Sequence, residues 1–360
     1  MGQLKKVPVT RHSYVEVDLQ AIQNNVTWLG SLTAAGTRQM AVVKGDAYGH
    51  GAVEVARALS GKVSWFGVAN VAEAVELRNA GISENIMVFG VPDEETAPLY
   101  ENHNLTAVIS HPELIPILPD RVNAHLLFDT GMGRLGLQPD KVDEVQNALK
   151  QSNIRVSGIM SHFPCSDDPD SAKTKHQLEL FREISARFPA EWDRHIHNTG
   201  GILYHYESDV TLVRHGIGMY GYDPGPNPRD ELTPALSWKS KVVQCKPLKK
   251  GQTISYGARW EADRDGWLLT VPVGYADGLP RNLTGKISYR VGENELPVCG
   301  TITMDYTMLF SDDPVEPGTP VTVLGAEAND ARILAEASGT ITYELLTRIA
   351  AKVPRVFKQV

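Results

Sequence analysis

The chain has 360 residues, of which 42% are hydrophobic, and a formal net charge of -8. This length allows one large domain and a smaller one, and the acidic balance without a Lys/Arg run argues against nucleic-acid binding. No apolar stretch approaches the roughly 18 residues of a membrane span, and the N-terminus lacks the apolar core of a signal peptide. Cys165, Cys245 and Cys299 are too few and too scattered for a disulfide framework or a zinc site, so no metal is expected. We therefore expect a cytosolic protein that acts on small molecules.

Strand-like apolar runs alternate with helix-like segments over the first two thirds of the chain. After a short strand at residues 14–17 and a helix from Leu19, eight such runs lie near residues 39–43, 63–68, 86–91, 105–109, 122–128, 154–161, 194–197 and 210–213. Eight strand-helix units favour a closed (βα)8 barrel of the TIM type. The alternative is an open doubly wound sheet, but no G-x-G-x-x-G opens a helix after the first strand.

The pattern changes after the proline-rich segment at residues 224–228. Residues 267–278 and 300–310 are rich in Val, Thr and Ile and are bounded by Gly, Pro and Asp turns. This predicts a barrel domain at residues 1–238 followed along the chain by a mostly-β C-terminal domain at residues 239–360. Residues 1–12 are a segment that could pack with the second domain. The last clear element, residues 343–353, is predicted as a helix that Pro354 ends.

Lys44 lies within AVVKGDAYGHG, residues 41–51, where a buried strand meets a Gly-rich turn into a helix. A lysine at the end of a buried strand is partly desolvated, which lowers its pKa and leaves the amine able to attack a carbonyl. A bare K-G-x-x-x-G string is also compatible with a surface lysine before an ordinary turn.

Polar residues that follow parallel barrel strands meet at one rim, where the active site of such a barrel lies. The residues in question are Lys44 after the first strand, Arg134 after the fifth, His162 after the sixth, Asn198 and Thr199 after the seventh, and Arg214 and Gly216 after the eighth. The loops after strands seven and eight often bind phosphate, and they contain Thr199, Gly200, Gly201, Gly216 and Gly218. Taken singly, the histidine could be structural and the glycines could serve only to turn the chain.

Motifs along the whole chain resemble those of the alanine racemase family, in the family's order. Besides residues 41–51 they are DTGMGRLG (129–136), SHF (161–163), HNT (197–199), VRHGIGMYG (213–221), SYG (255–257), VPVGYADGLPR (271–281), CGTITMD (299–305), TYE (342–344) and KVPR (352–355). The resemblance implies a pyridoxal 5'-phosphate enzyme that interconverts L- and D-alanine, usually to supply D-alanine for peptidoglycan.

The resemblance also implies a role for each site residue. Lys44 holds the cofactor as a Schiff base and takes the proton of the D-enantiomer, while Tyr275, tuned by His162, is the base on the opposite face. Arg214 faces the pyridine nitrogen and, as a permanent donor, keeps it unprotonated. Arg134 binds the substrate carboxylate. Met304 and Asp305 line the substrate pocket, and the other cofactor contacts are Tyr48, His162, Asn198, Thr199, Gly216, Ile217 and Tyr343.

Two of these residues have simpler explanations when taken alone. Tyr275 could be a strand aromatic that packs on its sheet, and Arg214 could form an ion pair at the barrel rim. The family is a head-to-tail homodimer whose active site is shared between subunits, which implies that Tyr275, Met304 and Asp305 come from the partner chain.

Leu127 is the main departure from the family, which usually has a lysine there, commonly carbamylated, that holds the substrate-binding arginine. We hypothesise that Arg134 is oriented by another acceptor, a bound anion or a shifted loop. Lesser departures are Tyr306, Lys352 and His215.

Three functions are compatible with the motifs. The first is alanine racemase, and the second is a serine or broad-specificity racemase of the same fold, which the departures at Leu127 and Tyr306 leave open. The third is a non-catalytic pyridoxal-phosphate carrier, which resembles the barrel alone. The predicted second domain with Tyr275 argues against a carrier. A barrel decarboxylase with this cofactor is disfavoured by the arginine at the pyridine site.

Overall fold

The computed structural model describes residues 11–226, 229–325 and 330–358, and the chain divides into two compact units. The first unit consists of Ala21–Ala47 and Ala52–Thr233. The second consists of the chain from Pro234 onward, Tyr48–Gly51 and the residues up to Gln20. The predicted boundary between residues 238 and 239 stays a prediction, and residues 1–10 of the predicted N-terminal addition lie outside the described residues.

Strands and helices are as follows. The strands are β1 Tyr14–Asp18, β2 Arg38–Val42, β3 Trp65–Val68, β4 Asn85–Val88, β5 Leu105–Ile109, β6 Asn123–Leu127, β7 Arg155–Met160, β8 Asp193–His195, β9 Leu212–His215, β10 Leu236–Lys241, β11 Gln244–Leu248, β12 Thr253–Ile254, β13 Trp260–Glu261, β14 Gly266–Val271, β15 Ser288–Val291, β16 Asn294–Cys299, β17 Thr307–Ser311, β18 Pro320–Leu324 and β19 Arg355–Lys358. The helices are α1 Leu19–Ser31, α2 Lys44–Gly49, α3 Ala52–Leu59, α4 Val71–Asn79, α5 Ala97–Asn102, α6 Val142–Lys150, α7 Ala172–Ser185, α8 Thr199–Tyr204, α9 Ala331–Ser338 and α10 Thr342–Thr347. Among the described residues, no helix combines the length and the apolar character that crossing a membrane requires.

The first unit is built on eight parallel strands in the order β8-β7-β6-β5-β4-β3-β2-β9. The sheet curls round because β2 pairs with β9, with Met40 opposite Arg214. Between β8 and β9 the Thr211 N–H donates to the Arg194 carbonyl at 3.0 Å, which nearly closes the barrel. The predicted barrel is confirmed, and each of the eight predicted runs overlaps a strand.

Burial explains why the sequence predicts these strands well. Parallel strands that are covered on both faces consist of continuous apolar runs, and β5 is buried at every position. One residue from each of β2–β7 and β9 contributes to an apolar cluster of Met40, Trp65, Met87, Val108, Leu127, Met160 and Leu212. Leu127 is therefore a core residue.

The second unit contains a nine-stranded sheet in the order β11-β14-β17-β16-β15-β18-β10-β1-β19 and a two-stranded sheet of β12 and β13. Neighbouring strands of the large sheet are antiparallel except β1 and β19, which are parallel. An apolar cluster underlies part of the large sheet: Leu248, Ile254, Ala262, Leu268, Cys299, Met308 and Phe310. The predicted mostly-β second domain is confirmed.

The end of the chain differs from the prediction. Helix α10 ends at Thr347, and beyond Pro354 the chain forms β19, which pairs in parallel with β1. The prediction that a helix reaching Pro354 is the last element is therefore wrong. A four-residue strand carries little local signal, and its partner β1 lies at the other end of the sequence.

Candidate active site

Lys44 follows β2 after one intervening residue, Val43, and begins α2, which is a left-handed turn. The φ angle is positive at every residue from 45 to 49, with values of 63°, 53°, 51°, 54° and 84°. Residues other than glycine avoid this conformation at a cost of about 1–2 kcal/mol each, so tertiary contacts have to stabilise the turn. Within it, the Ala47 N–H donates to the Val43 carbonyl at 2.8 Å, and Asp46 Oδ1 accepts the Ala52 N–H at 2.8 Å.

The Lys44 amine is half-buried, and in the described part of the chain Nζ has no hydrogen-bond or ion-pair partner. Burial is the main cause that lowers the pKa of Lys44, and the charges of Arg134 and Arg214 lower it further, against an opposing effect of Glu73. A lower pKa increases the fraction of uncharged, nucleophilic amine at neutral pH.

Arg214 is a buried cation that none of the described carboxylates neutralises. Its Nη1 donates to His195 Nδ1 and to the His195 carbonyl, both at 2.9 Å. Its two Nη2 hydrogens are shared among three acceptors, the carbonyls of Ser161 at 2.7 Å and Ile196 at 3.0 Å and His162 Nδ1 at 3.1 Å. Burial, followed by Arg134, lowers the pKa of Arg214 to about 9. The Nε–H group has no acceptor among the described residues, so a rim ion pair does not explain this arginine.

The guanidinium of Arg214 fixes the tautomers of two histidines because it can only donate hydrogen bonds. His195 Nδ1 must accept, so its proton lies on Nε2, which faces His125 Nδ1 at 2.9 Å. His162 Nδ1 must likewise accept, which places its proton on Nε2. Burial, followed by Arg214, lowers the pKa of His162 to about 3, and burial also lowers the pKa of His125 to about 3. These imidazoles are neutral at physiological pH.

The residues predicted to bind phosphate in the first unit lie side by side. Asn198 caps α8, its Oδ1 accepting the Gly201 N–H at 2.9 Å. Thr199 Oγ1 accepts the N–H groups of Gly216 at 3.1 Å and Gly218 at 3.2 Å. A Cβ at Gly218 would lie 2.6 Å from Thr199 Cγ2, so this close approach requires glycine. Ile217 begins the short 3-10 turn Ile217–Tyr220.

Tyr48 and Tyr343 contact each other within the second unit, with ring centroids 5.9 Å apart. Burial raises the pKa of Tyr48 to about 12, so its hydroxyl remains a hydrogen-bond donor at neutral pH. The structure therefore brings together the two tyrosine side chains that are predicted to bind phosphate in this unit.

Tyr275 lies in the 3-10 turn Tyr275–Asp277 after β14 and is 41% exposed. Its N–H donates to the Thr303 carbonyl at 3.0 Å, and the next N–H, of Ala276, donates to the Met304 carbonyl at 3.0 Å. Tyr275 is thus a turn residue rather than a strand aromatic packed on its sheet. The same backbone contacts bring the exposed Met304 and Asp305 next to it.

Asp277 supports this turn and was not identified from the sequence. Its fully buried carboxylate accepts the Gly274 N–H at 3.1 Å and pairs with Arg11 at 2.7 Å and with Lys352 at 3.4 Å. Lys352, which replaces the family's usual arginine, still provides a cation at this carboxylate. The Asp-Gly pair after Tyr275 is a turn signal, but it does not reveal these two distant cations.

Gly274 is the position where the turn tolerates no side chain. A Cβ there would lie 2.2 Å from the Met304 carbonyl oxygen and 2.5 Å from that of Thr303. We expect Gly274→Ala to lower the free energy of unfolding by about 1–3 kcal/mol, measured by urea denaturation. The matched control is Gly30→Ala in α1, where the Cβ meets Gln39 at an ordinary 3.6 Å, so that the change is expected to be neutral or stabilising. Equal effects of the two variants would contradict the prediction.

Arg134 is exposed and forms no hydrogen bond or ion pair with the described residues. The nearby carboxylate of Asp129 instead accepts the N–H groups of Gly131 and Gly133 in its own loop, at 2.9–3.1 Å. Leu127, at the position of the family's usual lysine, lies in the apolar core. None of the described carboxylates contacts Arg134 in place of that lysine. The charge of Arg134 lowers the pKa values of Lys44 and Arg214, so it acts on the same rim.

A parallel barrel with a half-buried lysine and a buried arginine at the carboxyl ends of its strands has the architecture of a barrel enzyme. Sequence comparison matches the alanine racemase N-terminal domain to residues 17–224 and the C-terminal domain to residues 235–357. Alanine racemase of Streptococcus pneumoniae (strain Hungary19A-6) is 35% identical over 355 residues, covering 95% of this chain and 96% of that protein. Alanine racemase of Symbiobacterium thermophilum is 36% identical over 367 residues, with coverages of 96% and 97%.

Solved structures of alanine racemases are similar to this chain over nearly its whole length. The crystal structure of alanine racemase from E. faecalis has a TM-score of 0.93 and 31% identity, covering 98% of this chain and 100% of that one. That from Bacillus anthracis, with bound L-Ala-P, has a TM-score of 0.91 and 32% identity, with coverages of 98% and 96%. The chain belongs to the alanine racemase family. By homology it is an amino-acid racemase.

Proposed function

We propose that the chain is a pyridoxal 5'-phosphate-dependent alanine racemase that interconverts L- and D-alanine with Lys44 and Tyr275 as its two bases. The observation that carries the proposal concerns Arg214. Its guanidinium is buried, none of the described carboxylates pairs with it, and its Nε–H has no acceptor among the described residues. A pyridine nitrogen that accepts this hydrogen bond fits the donor.

The residues around Arg214 fit the rest of the cofactor. Lys44 would hold it covalently. The Thr199 hydroxyl and the backbone N–H group of Ile217 would bind its phosphate, and Gly216, whose N–H donates to Thr199 Oγ1, would hold that hydroxyl in place. Asn198 would complete the part of that site in the first unit, and the resemblance implies phosphate-binding roles for Tyr48 and Tyr343, which contact each other within the second unit. When bound, the cofactor supplies an electron sink for the charge left on the substrate Cα after proton loss.

Both proposed bases and the substrate anchor occur in this sequence, and in the homodimer proposed below the Tyr275 at each site comes from the partner copy. Lys44 Nζ would exchange the Cα proton of D-alanine, and the Tyr275 hydroxyl that of L-alanine. His162 would donate its Nε2–H towards the phenolic oxygen, because its Nδ1 is taken by Arg214. Arg134, free of internal partners among the described residues, would bind the substrate carboxylate with two parallel hydrogen bonds. Met304 and Asp305 would line the pocket.

We further propose the family's homodimer, in which Tyr275, Met304 and Asp305 are contributed to the partner's barrel. Their exposure on the surface of the second unit supports this arrangement. A cytoplasmic location and supply of D-alanine for peptidoglycan are part of the same proposal.

Chiral chromatography tests the function. Purified protein loaded with pyridoxal 5'-phosphate is incubated separately with L-alanine and L-serine, with cofactor-free protein as the control. We expect D-alanine to form much faster than D-serine, because the resemblance implies that Tyr343, besides contacting the cofactor, narrows the substrate pocket. We also expect D-alanine to form only with the cofactor. Equal turnover of serine would show a broad-specificity racemase. Retention of the cofactor without any racemisation would indicate a carrier.

A further inference from the structure

Each carboxylate oxygen of Glu73 accepts a hydrogen bond from a backbone N–H group. Oε1 accepts the Gly45 N–H at 2.8 Å, and Oε2 accepts the Ala69 N–H at 2.7 Å. Gly45 directly follows Lys44 after β2, and Ala69 follows β3, the neighbouring strand of the barrel. One carboxylate thus ties together the two chain segments that leave adjacent strands at the rim.

Glu73 is itself held in place. It lies in the first turn of α4, where its own N–H donates to Asn70 Oδ1 at 3.0 Å. Its side chain is therefore anchored to a rigid helix terminus rather than to a loop.

Two side-chain hydrogen bonds hold the left-handed turn. Glu73 accepts the N–H of Gly45, the first residue of the turn, and Asp46 in the turn accepts the N–H of Ala52. Because residues 46–48 are not glycine, the turn requires such tertiary contacts. Glu73 also carries the negative charge that opposes the effects of Arg134 and Arg214 on Lys44.

We propose that Glu73 is a positioning residue that holds the left-handed turn through Gly45 and thereby orients the Lys44 side chain for the cofactor. The inference rests on the proposed function for the role of Lys44, but not for the hydrogen bond itself. Glu73 touches neither substrate nor cofactor in this proposal, and it acts only through the backbone and through its charge.

Two variants separate its geometry from its charge. Glu73→Gln keeps the length but places an amide NH2 against one of the two N–H donors, and it removes the charge. Glu73→Asp keeps the charge but is one methylene too short to reach both donors. Glu76→Gln, an exposed glutamate on the same helix, is the matched control.

The first measurement is native-state hydrogen exchange of the protein without cofactor. We expect the Gly45 amide to exchange about tenfold faster or more in both Glu73 variants and to be unchanged in Glu76→Gln. Gln offers Gly45 a neutral acceptor at best, and the shorter Asp side chain retains the local bond to Ala69 and loses the one to Gly45. Equal acceleration of amides throughout the barrel would overturn the proposal, because Glu73 would then be only a general stabilising residue. An unchanged Gly45 amide would also overturn it.

The second measurement uses the loaded enzyme. Borohydride reduction and peptide mass spectrometry report whether Lys44 carries the cofactor, and the decay of the bound-cofactor absorbance gives its dissociation rate. We expect about tenfold faster dissociation in both Glu73 variants. In a pH titration followed by the absorbance of the bound cofactor, the midpoint is expected to move to lower pH in Glu73→Gln alone, because only that variant loses the negative charge near Lys44. An unlabelled Lys44 in the wild type would refute the proposed function, whereas a labelled Lys44 with wild-type dissociation in both Glu73 variants would refute only this inference.

Discussion

Replacing Lys44 by alanine is expected to reduce racemisation by at least about a thousandfold, because both the covalent attachment and one base are lost. The structure supports a large effect: the amine is half-buried, its pKa is lowered by burial and by two arginines, and no described residue engages Nζ. Lys44→Arg is expected to be equally inactive, since guanidinium stays charged and cannot act as the nucleophile or the base. The measurement is the initial rate of D-alanine formation by chiral chromatography.

Lys62→Ala is the matched control, because Lys62 is an exposed lysine in the same unit. It should retain wild-type activity. Urea unfolding of Lys44→Ala should show unchanged or slightly higher stability, since a desolvated cation is removed. Racemisation by Lys44→Ala within tenfold of the wild-type rate would contradict the role of this lysine.

Acidification from pH 7 to 5.5 is expected to lower the free energy of unfolding by about 5 kcal/mol, about 1 kcal/mol for each of five buried histidines. Burial lowers the pKa to about 3 in His125 and His162, to about 4 in His197 and His215, and well below 6.5 in His195. The unfolded chain protonates these side chains near pH 6.5, whereas the folded chain does not, so the unfolded state binds more protons in this window. Stability is therefore present above pH 6.5 and is lost as the pH falls towards 4.

Urea denaturation at several pH values, with proton uptake on unfolding recorded at each, measures this effect. His215→Gln removes one of the five buried histidines, chosen because it lies outside the candidate site. This variant should take up about one proton fewer on unfolding at pH 5.5. His176→Gln, at an exposed position, should leave the uptake unchanged. Stability that is constant between pH 7 and 5.5 would show that the buried histidines gain no protons on unfolding.

The barrel could be predicted because its strands are encoded locally. A strand such as β5, buried at every residue, appears in the sequence as an unbroken apolar run. The polar residues that follow the strands then meet at one rim by geometry alone, which is why the order of the strands is enough to group Lys44, His162, Thr199 and Arg214. Their individual roles remain proposals that came from the family motifs.

Other features depend on contacts that no local pattern encodes. The left-handed turn at residues 45–49 contains three residues that ordinarily avoid positive φ, so the glycines alone do not predict it. Glu73 carried a usable signal, since Asn70 and Glu73 form an N-x-x-E capping pattern at the start of a helix. That pattern predicts the helix start but not the bond to Gly45. Asp277 was missed because its partners, Arg11 and Lys352, are distant in sequence.

The position of β1 between β10 and β19 has a consequence for synthesis on the ribosome. Neighbouring strands from β2 to β8 are consecutive in sequence and can pair as they emerge, whereas β1 has to wait for β10 and then, at its other edge, for Arg355–Lys358. An unpaired strand edge is a template for aggregation. A chain that stops short of Arg355, through a nonsense codon or through proteolytic trimming, is left with that edge uncovered.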